Sequence, residues 1–178
     1  GFIFCGPKWQ YMAMRSYSFK PVCGRGARLL VLGSMPGRAS LAAGRYYAHP
    51  RNAFWRIISD ALGGGKDLSY GDGIKLLKKN RVALWDVLRS CVRPGSADSA
   101  IVSEEPNDIA GLLAARRGIV AVLFNGAKAE ASFRRWVLPS LPPGRRPLMR
   151  RLPSTSPANA SVPYACKLAA WRRALAGK

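Results

Sequence analysis

LLVLGSMPGRASLAAGRYYAHPRNAFW, residues 29–55, sets four apolar residues directly against a glycine-proline loop. A short apolar run ended by such a loop is the pattern of a buried strand. A loop at that position presents backbone N–H groups to an anion or to the polar edge of a ligand. It lacks a P-loop lysine, and Tyr46, Tyr47, His49 and Asn52 follow close behind it. Working outward, apolar runs at 28–32, 82–87, 119–124 and 148–152 predict four strands. Helical spacing predicts helices over 54–62, 74–79, 106–116, 127–136 and 164–175, the first stopped by Gly63-Gly64-Gly65. Strands separated by helical stretches imply an α/β fold with a central, mostly parallel four-stranded sheet and helices on both faces. All four strands run into polar loops, GSMPG, DVLRSCVRPGS, NGAKA and PSTSPANA, and the site is expected where those loops meet. Residues 1–18 resist assignment, and 19–178 read as a single domain.

Composition narrows the chemistry. The 178 residues are 48% hydrophobic, enough for a real core, and carry 29 Lys+Arg against 9 Asp+Glu, a net charge of +20. The basic residues are spread among apolar and aromatic ones along the whole chain. That favours a folded surface facing a polyanion, with nucleic acid ahead of an anionic membrane or plain solubility. Cys5, Cys23, Cys91 and Cys166 form no C-x-x-C pair, which weakens zinc and iron–sulfur readings, and no cofactor is expected. Residues 1–11 lack the organisation of a signal peptide and no apolar run reaches the length of a membrane span. The expectation is a monomer in a reducing cytoplasm, associated with the nucleoid in a bacterium. One histidine, His49, excludes H-E-x-x-H zinc hydrolysis. Nine carboxylates are few for a metal nuclease. Of these, Asp86 alone ends a predicted strand; Glu104, Glu105 and Asp108 read as loop and helix-start residues that cap or are solvated.

Four ordered blocks, LVLGSMPGRASL, YYAHPRNAFW, ALWDVLRSCVRPGSADSAI and LPSTSPANA, with FNGAKA between the last two, carry a resemblance. From about Phe19 to Leu175 the chain resembles the uracil-DNA glycosylase superfamily, and most of all its hypoxanthine-DNA, or DNA-deoxyinosine, glycosylase branch. The resemblance implies a three-layer α/β/α sandwich. It also implies hydrolysis of the N-glycosidic bond of a deaminated base (uracil, hypoxanthine or xanthine) to leave an abasic site in DNA. A base must leave the duplex stack before that bond is reached, at a cost of a few kcal/mol.

By that resemblance the loop Ser154, Thr155, Ser156, Pro157, Ala158 and Asn159 meets the DNA, with Ser154 contacting a phosphate and Pro157, Ala158 and Asn159 filling the vacated space. The plainer reading is a proline-stiffened turn. Tyr47 takes the position of the ring that stacks on the extruded base, worth roughly 1–3 kcal/mol, while Tyr46, Phe54 and Trp55 read as packing. Asp86 falls where many relatives place an asparagine that reads the base edge. An ionised Asp there accepts an N–H, and an ion pair or turn cap is its plainer reading. Asn125 is expected in a turn, with a lesser contact to the base.

Water activation departs from the relatives. Much of the superfamily carries Asp, Asn or Glu inside the first block, where this chain has Ser34 and Met35. Asn52 is the replacement expected to orient the water, against a plain helix-start role. His49 is the second candidate, against a loop residue touching phosphate. A histidine of some relatives in the last block is Leu152 here. The departing base would then lean on backbone N–H groups of the GSMPG loop, with Ser34 and Met35 lining its site. A non-catalytic binder of damaged or abasic DNA on the same fold is the alternative. A nucleotide-binding protein acting on a free nucleoside is a third reading, which would not need so basic a surface.

Overall fold

The computed structural model of the protein describes residues 15–65, 67–93 and 98–177. In chain order the elements are β1 (Arg15–Tyr17), β2 (Leu29–Gly33), α1 (Arg38–Ala43), α2 (Phe54–Leu62), α3 (Tyr70–Lys79), β3 (Val82–Asp86) and β4 (Leu88–Val92). They continue with β5 (Val102–Pro106), α4 (Ile109–Ala115), β6 (Ala121–Asn125), α5 (Ala127–Trp136), β7 (Leu148–Leu152) and α6 (Tyr164–Leu175). The main sheet runs β3-β2-β6-β7, parallel throughout. β2 is central and buried at every position, as its unbroken apolar run requires.

Pleating sorts the strand residues into two cores. Leu29, Val31, Val82, Leu84, Ala121 and Leu123 face Phe54, Ile57 and Ile58 of α2, Leu77 of α3 and Trp171 of α6. Leu30, Leu32, Ala83, Val122 and Phe124 face the other way, toward Ile109 and Leu113 of α4 and Phe133 of α5. Helices thus cover both faces in the expected α/β/α arrangement. The helix ends follow local chemistry: α2 stops at Gly63, which takes φ +78°. α3 begins at Ser69, whose hydroxyl accepts from the Asp72 N–H. Gly73 inside α3 lets the helix approach Trp55, since a Cβ there would lie 2.7 Å from the indole ring. With these two devices α3 starts four residues before the expected 74.

A second, antiparallel sheet of order β1-β4-β5 was not expected. DVLRSCVRPGS is therefore strand β4 over much of its length, with residues 94–96 outside those described. Glu104 and Glu105 sit in β5 and are paired, not simply solvated. Glu104 takes Lys128, Ser132 and Trp136 of α5, and Glu105 takes Arg15 and Arg89. Pro106 ends β5 where a helix start was expected. α4 begins later, capped by Asp108, which accepts from the Gly111 N–H at 2.8 Å. Folded structure is present from Arg15, ahead of the expected boundary at residue 19. The expected readings of residues 1–14, Cys5 among them, lie outside the described residues. No helix among the described residues is long and apolar enough to cross a membrane.

Candidate active site

Parallel pairing sets Gly33 beside Asp86 and Asn125 beside Leu152, so the carboxyl ends of all four strands finish level. Above them the loops enclose a cavity of about 340 Å³, within the ~300–1,000 Å³ range of small-ligand pockets. Ser34, Met35, Tyr47, His49, Asn52, Asp86, Asn125, Ser154, Thr155, Ser156 and Pro157 all line it. Ala158 and Asn159 lie just outside, in an adjoining groove.

The floor is built around the absence of a side chain. A Cβ on Gly33 would lie 2.4 Å from Asp86 Oδ1 and 2.9 Å from the Tyr47 hydroxyl, so only glycine admits both groups at that spot. Asp86 is 3% exposed, and its Oδ2 is buried without a partner. Burial, then the charge of Asp98, pushes its carboxyl up to about 8, with Arg93 opposing. A rise of this kind favours the protonated carboxyl at neutral pH, where the sequence reading has an ionised acceptor. A protonated carboxyl both donates and accepts.

Tyr47 adopts φ +54°, a left-handed conformation costly for an aromatic residue and kept only where surroundings enforce it. Here the Ala48 N–H donates to Ser40 Oγ at 3.1 Å, and the Tyr47 ring stacks on Phe54 with centroids 4.0 Å apart. One ring face is thus backed by the core. The hydroxyl is buried with no hydrogen bond of regular geometry, the Asn125 side chain being its polar neighbour, and burial drives its ionisation far above the usual phenol range. Tyr46 is buried and donates to the Lys20 carbonyl, a packing role as expected.

Asn52 lies immediately before α2. Its Oδ1 accepts from the Phe54 N–H at 3.0 Å, a local turn that fixes the carboxamide. That contact reaches the first residue of α2, whose cap position is Ala53. It uses one lone pair, leaving the other and the amide N–H₂ for a ligand. His49 Nδ1 accepts from the Arg51 N–H at 3.1 Å, so the neutral ring carries its proton on Nε2.

Asn125 acts as a brace. Its Nδ2 donates to Thr155 Oγ1 and its Oδ1 accepts from the Thr155 N–H, both at 2.9 Å. The Thr155 carbonyl in turn accepts from the Ala53 N–H at 3.0 Å. The Asn125 bonds use one N–H and one lone pair of the carboxamide and leave one of each, and Thr155 is 1% exposed. Ser154 stays at the cavity wall. Gly126, at φ +96°, is the only residue type that fits against it, because a Cβ would lie 2.9 Å from Ser154 Cβ. Beyond it, Asn159 Nδ2 donates to the Ser154 carbonyl, and buried Lys167 donates to the Asn159 carbonyl at 2.7 Å.

Two lining residues were missed. Arg93, with a side chain 2% exposed, donates to the Pro36 carbonyl and lies 3.8 Å from Asp98. Asp98 Oδ2 accepts from Ser34 Oγ at 2.9 Å. A signal existed: an arginine directly after Ser90-Cys91-Val92 needs a buried partner, and Asp98 is the nearest following acid. Among the described residues three buried side-chain atoms lack a partner: Tyr47 Oη, Asp86 Oδ2 and Arg93 Nε. All three belong to residues of this one cavity.

A profile of the Uracil DNA glycosylase superfamily matches residues 20–175. A protein of Methanosarcina barkeri (strain Fusaro / DSM 804) named hypoxanthine DNA glycosylase is 36% identical over 117 residues, 65% of this chain and 74% of its own. One of the same name from Methanosarcina acetivorans is 40% identical over 112 residues, 62% of this chain and 71% of its own. A solution NMR structure of a Methanosarcina acetivorans protein, provisionally named a uracil DNA glycosylase, superposes with a TM-score of 0.78 at 33% identity. It covers 91% of this chain and 97% of that one.

Proposed function

The chain belongs to the Uracil DNA glycosylase superfamily, and on that premise we propose that it excises hypoxanthine, and uracil or xanthine with it, from DNA. It is a monofunctional DNA glycosylase of base-excision repair that acts on deaminated bases. The observation that carries the finer reading is that three buried polar atoms without a partner all belong to residues lining one cavity. Buried polar groups are nearly always satisfied, so their partners are expected on a ligand. Deaminated bases supply what is missing, an N–H beside a C=O, and the names of the two curated relatives favour hypoxanthine among them.

The proposed reaction follows from the side chains. The extruded base lies against Tyr47, whose far face is supported by Phe54. Its lactam edge meets Asp86. Asn52, its carboxamide fixed by the Phe54 N–H, holds a water that adds to the sugar C1′ as the C1′–N bond breaks. The bonding pair leaves with the base, whose negative charge is met by N–H groups of the loop after β2; the water's proton is lost to solvent or base. His49, with Nε2–H available, is the second candidate for that water or for a phosphate. Ser154, Ser156 and Pro157 border the cavity as phosphate contact and wedge, with Ala158 and Asn159 extending the wedge outward. The reading includes a monomer in a reducing cytoplasm, consistent with free thiols at Cys23, Cys91 and Cys166.

Single-turnover excision, read by alkaline cleavage of duplexes holding one hypoxanthine, uracil or xanthine, tests the reading. Cleavage at hypoxanthine is expected. Tight binding of these duplexes with no cleavage at any lesion would replace it with the non-catalytic binder.

A further inference from the structure

Asp98 opens a short 3₁₀ turn, Asp98–Ala100, at the cavity mouth. The paired residues form a closed set. Asp98 accepts from Ser34 Oγ at 2.9 Å and lies 3.8 Å from Arg93 Nη1, while Arg93 Nη2 donates to the Pro36 carbonyl. The segment after β4 is thereby tied at two points to the loop after β2. Asp86 lies within electrostatic reach of both Asp98 and Arg93.

Two carboxyls in one small cavity cannot both ionise cheaply; the better-partnered one takes the charge. Asp98 has Ser34, Arg93 and Lys128 favouring its anion, and its side chain is 49% exposed. Partial burial lifts its carboxyl, yet those three partners oppose the lift. Asp86 is buried, its Oδ2 has no partner, and among charged groups only Arg93 favours its anion. The other charged or titratable groups lining the cavity are the cation Arg38 and the residues Tyr46, Tyr47 and His49, none of which carries negative charge at neutral pH.

We propose that Asp98 is a positioning residue for base recognition: with Arg93 and Ser34 it holds the negative charge of the pair and keeps Asp86 a hydrogen-bond donor as well as an acceptor. One carboxyl then meets both halves of a lactam edge, taking the base N–H on its carbonyl oxygen and giving its own proton to the base carbonyl. An ionised Asp86 would set a second oxygen against that carbonyl. The inference rests on the reading that Asp86 faces the base, and it assigns Asp98 no contact with the reacting atoms.

Removing the Asp98 charge should ease ionisation of Asp86, so the alkaline fall in excision rate moves to lower pH. Wild type should lose hypoxanthine excision as pH rises through about 8. Asp98→Asn should stay within about twofold of wild type at pH 6 and fall about fivefold or more below it at pH 8.5, since a deprotonating acid loses about tenfold in protonated fraction per pH unit above its pKa. Asp86→Asn, which keeps a donor and an acceptor but does not titrate, should lose this limb. A structural role for Asp98 would lower the rate equally at every pH. Carboxyl ¹³C titration of Asp86 by NMR reads the pair without any substrate, with Asp98→Ser as a second variant should Asp98→Asn not fold. Asp86 already ionised at pH 6 in wild type, or an alkaline limb unmoved by folded Asp98 variants, overturns the proposal. Absence of excision by wild type with the Asp86 titration as expected would count instead against the glycosylase reading.

Discussion

At the carboxyl ends of the parallel strands lies the cavity of about 340 Å³; at their amino ends a groove of about 610 Å³ runs between α4 and residues 140–147. Arginines border both: Arg38 and Arg93 above, Arg117, Arg145 and Arg146 below. Volume would choose the lower groove, and positive charge does not separate them. The difference lies in satisfaction. The three unpartnered buried polar atoms found among the described residues all belong to the upper cavity, along with Tyr47 in its left-handed conformation. The lower groove is lined by Leu113, Ile119, Leu141 and proline, which ask nothing of a ligand. In a protein this basic, unmet hydrogen bonds locate chemistry better than size or charge.

The comparison is broken most directly at Asn52. Asn52→Ala should slow single-turnover excision by about 10²–10⁴ while leaving DNA affinity unchanged. Asn52→Asp keeps an acceptor for the Phe54 N–H but loses the amide donor, so its thermal midpoint should match wild type whatever its rate. Were Asn52 a helix-start residue alone, Asn52→Ala would cost about 1 kcal/mol of stability and leave the rate untouched.

Tyr47 gives the next largest effect. Tyr47→Ala should weaken capture of the lesion by roughly 1–3 kcal/mol, the worth of one stacked base. Tyr47→Phe keeps the ring on Phe54 and should retain most activity, measured as lesion-duplex affinity and rate. Equal losses from the two would move the role of Tyr47 from its ring to its hydroxyl.

Salt dependence separates the two ends of the sheet. Affinity for undamaged duplex should fall steeply with salt, and Arg38→Ala or Arg51→Ala should each shallow the slope by up to about 0.9. Arg145→Ala and Arg146→Ala should leave it unchanged. They precede β7, whose five residues set them roughly 17 Å from its carboxyl end. A shallower slope from the Arg145 or Arg146 change would mean that DNA wraps to the lower groove.

The last effect is on stability rather than on rate or affinity. The Asp86 carboxyl rises from its usual 3.8 to about 8 on folding. Between those values the folded chain holds a proton that the unfolded chain has released, so this residue's contribution falls as pH climbs from about 4 to 8. Asp86→Asn removes that dependence. Its thermal midpoint should gain on wild type across the window, at about 2–4 °C per kcal/mol for a chain of this size. A constant difference at every pH would mean that Asp86 is not buried in its neutral form.

Much of this was legible in the sequence, for reasons that differ by region. Helices α2, α5 and α6 and strand β7 have the expected bounds because apolar period and a stop signal coincide at their ends. Strands β4 and β5 were missed because they are antiparallel and carry charged residues that break the apolar run. LRSCV alternates around an arginine, and VSEEP keeps its glutamates by pairing them with basic partners rather than by burying an apolar face. In the site, Tyr47, His49 and Asn52 follow the glycine-proline loop directly, so local reading reached them. Asp98 meets Ser34 across a separation of 64 residues, which no local pattern encodes. The upward push on the Asp86 carboxyl was not legible for the same reason, since both its burial and its neighbour come from distant segments.

The Asn125 brace bears on motion. Its carboxamide joins the loop after β6 to the loop after β7, and Thr155 passes the connection to the segment before α2 through Ala53. Opening any one of these loops alone would strand a half-buried amide, so they open together or not at all. The amide protons of Thr155 and Ala53, on different loops, should then exchange with solvent at the same opening free energy. Base capture accordingly meets a preformed receptacle, with little loop-ordering entropy left to lose at the moment of binding.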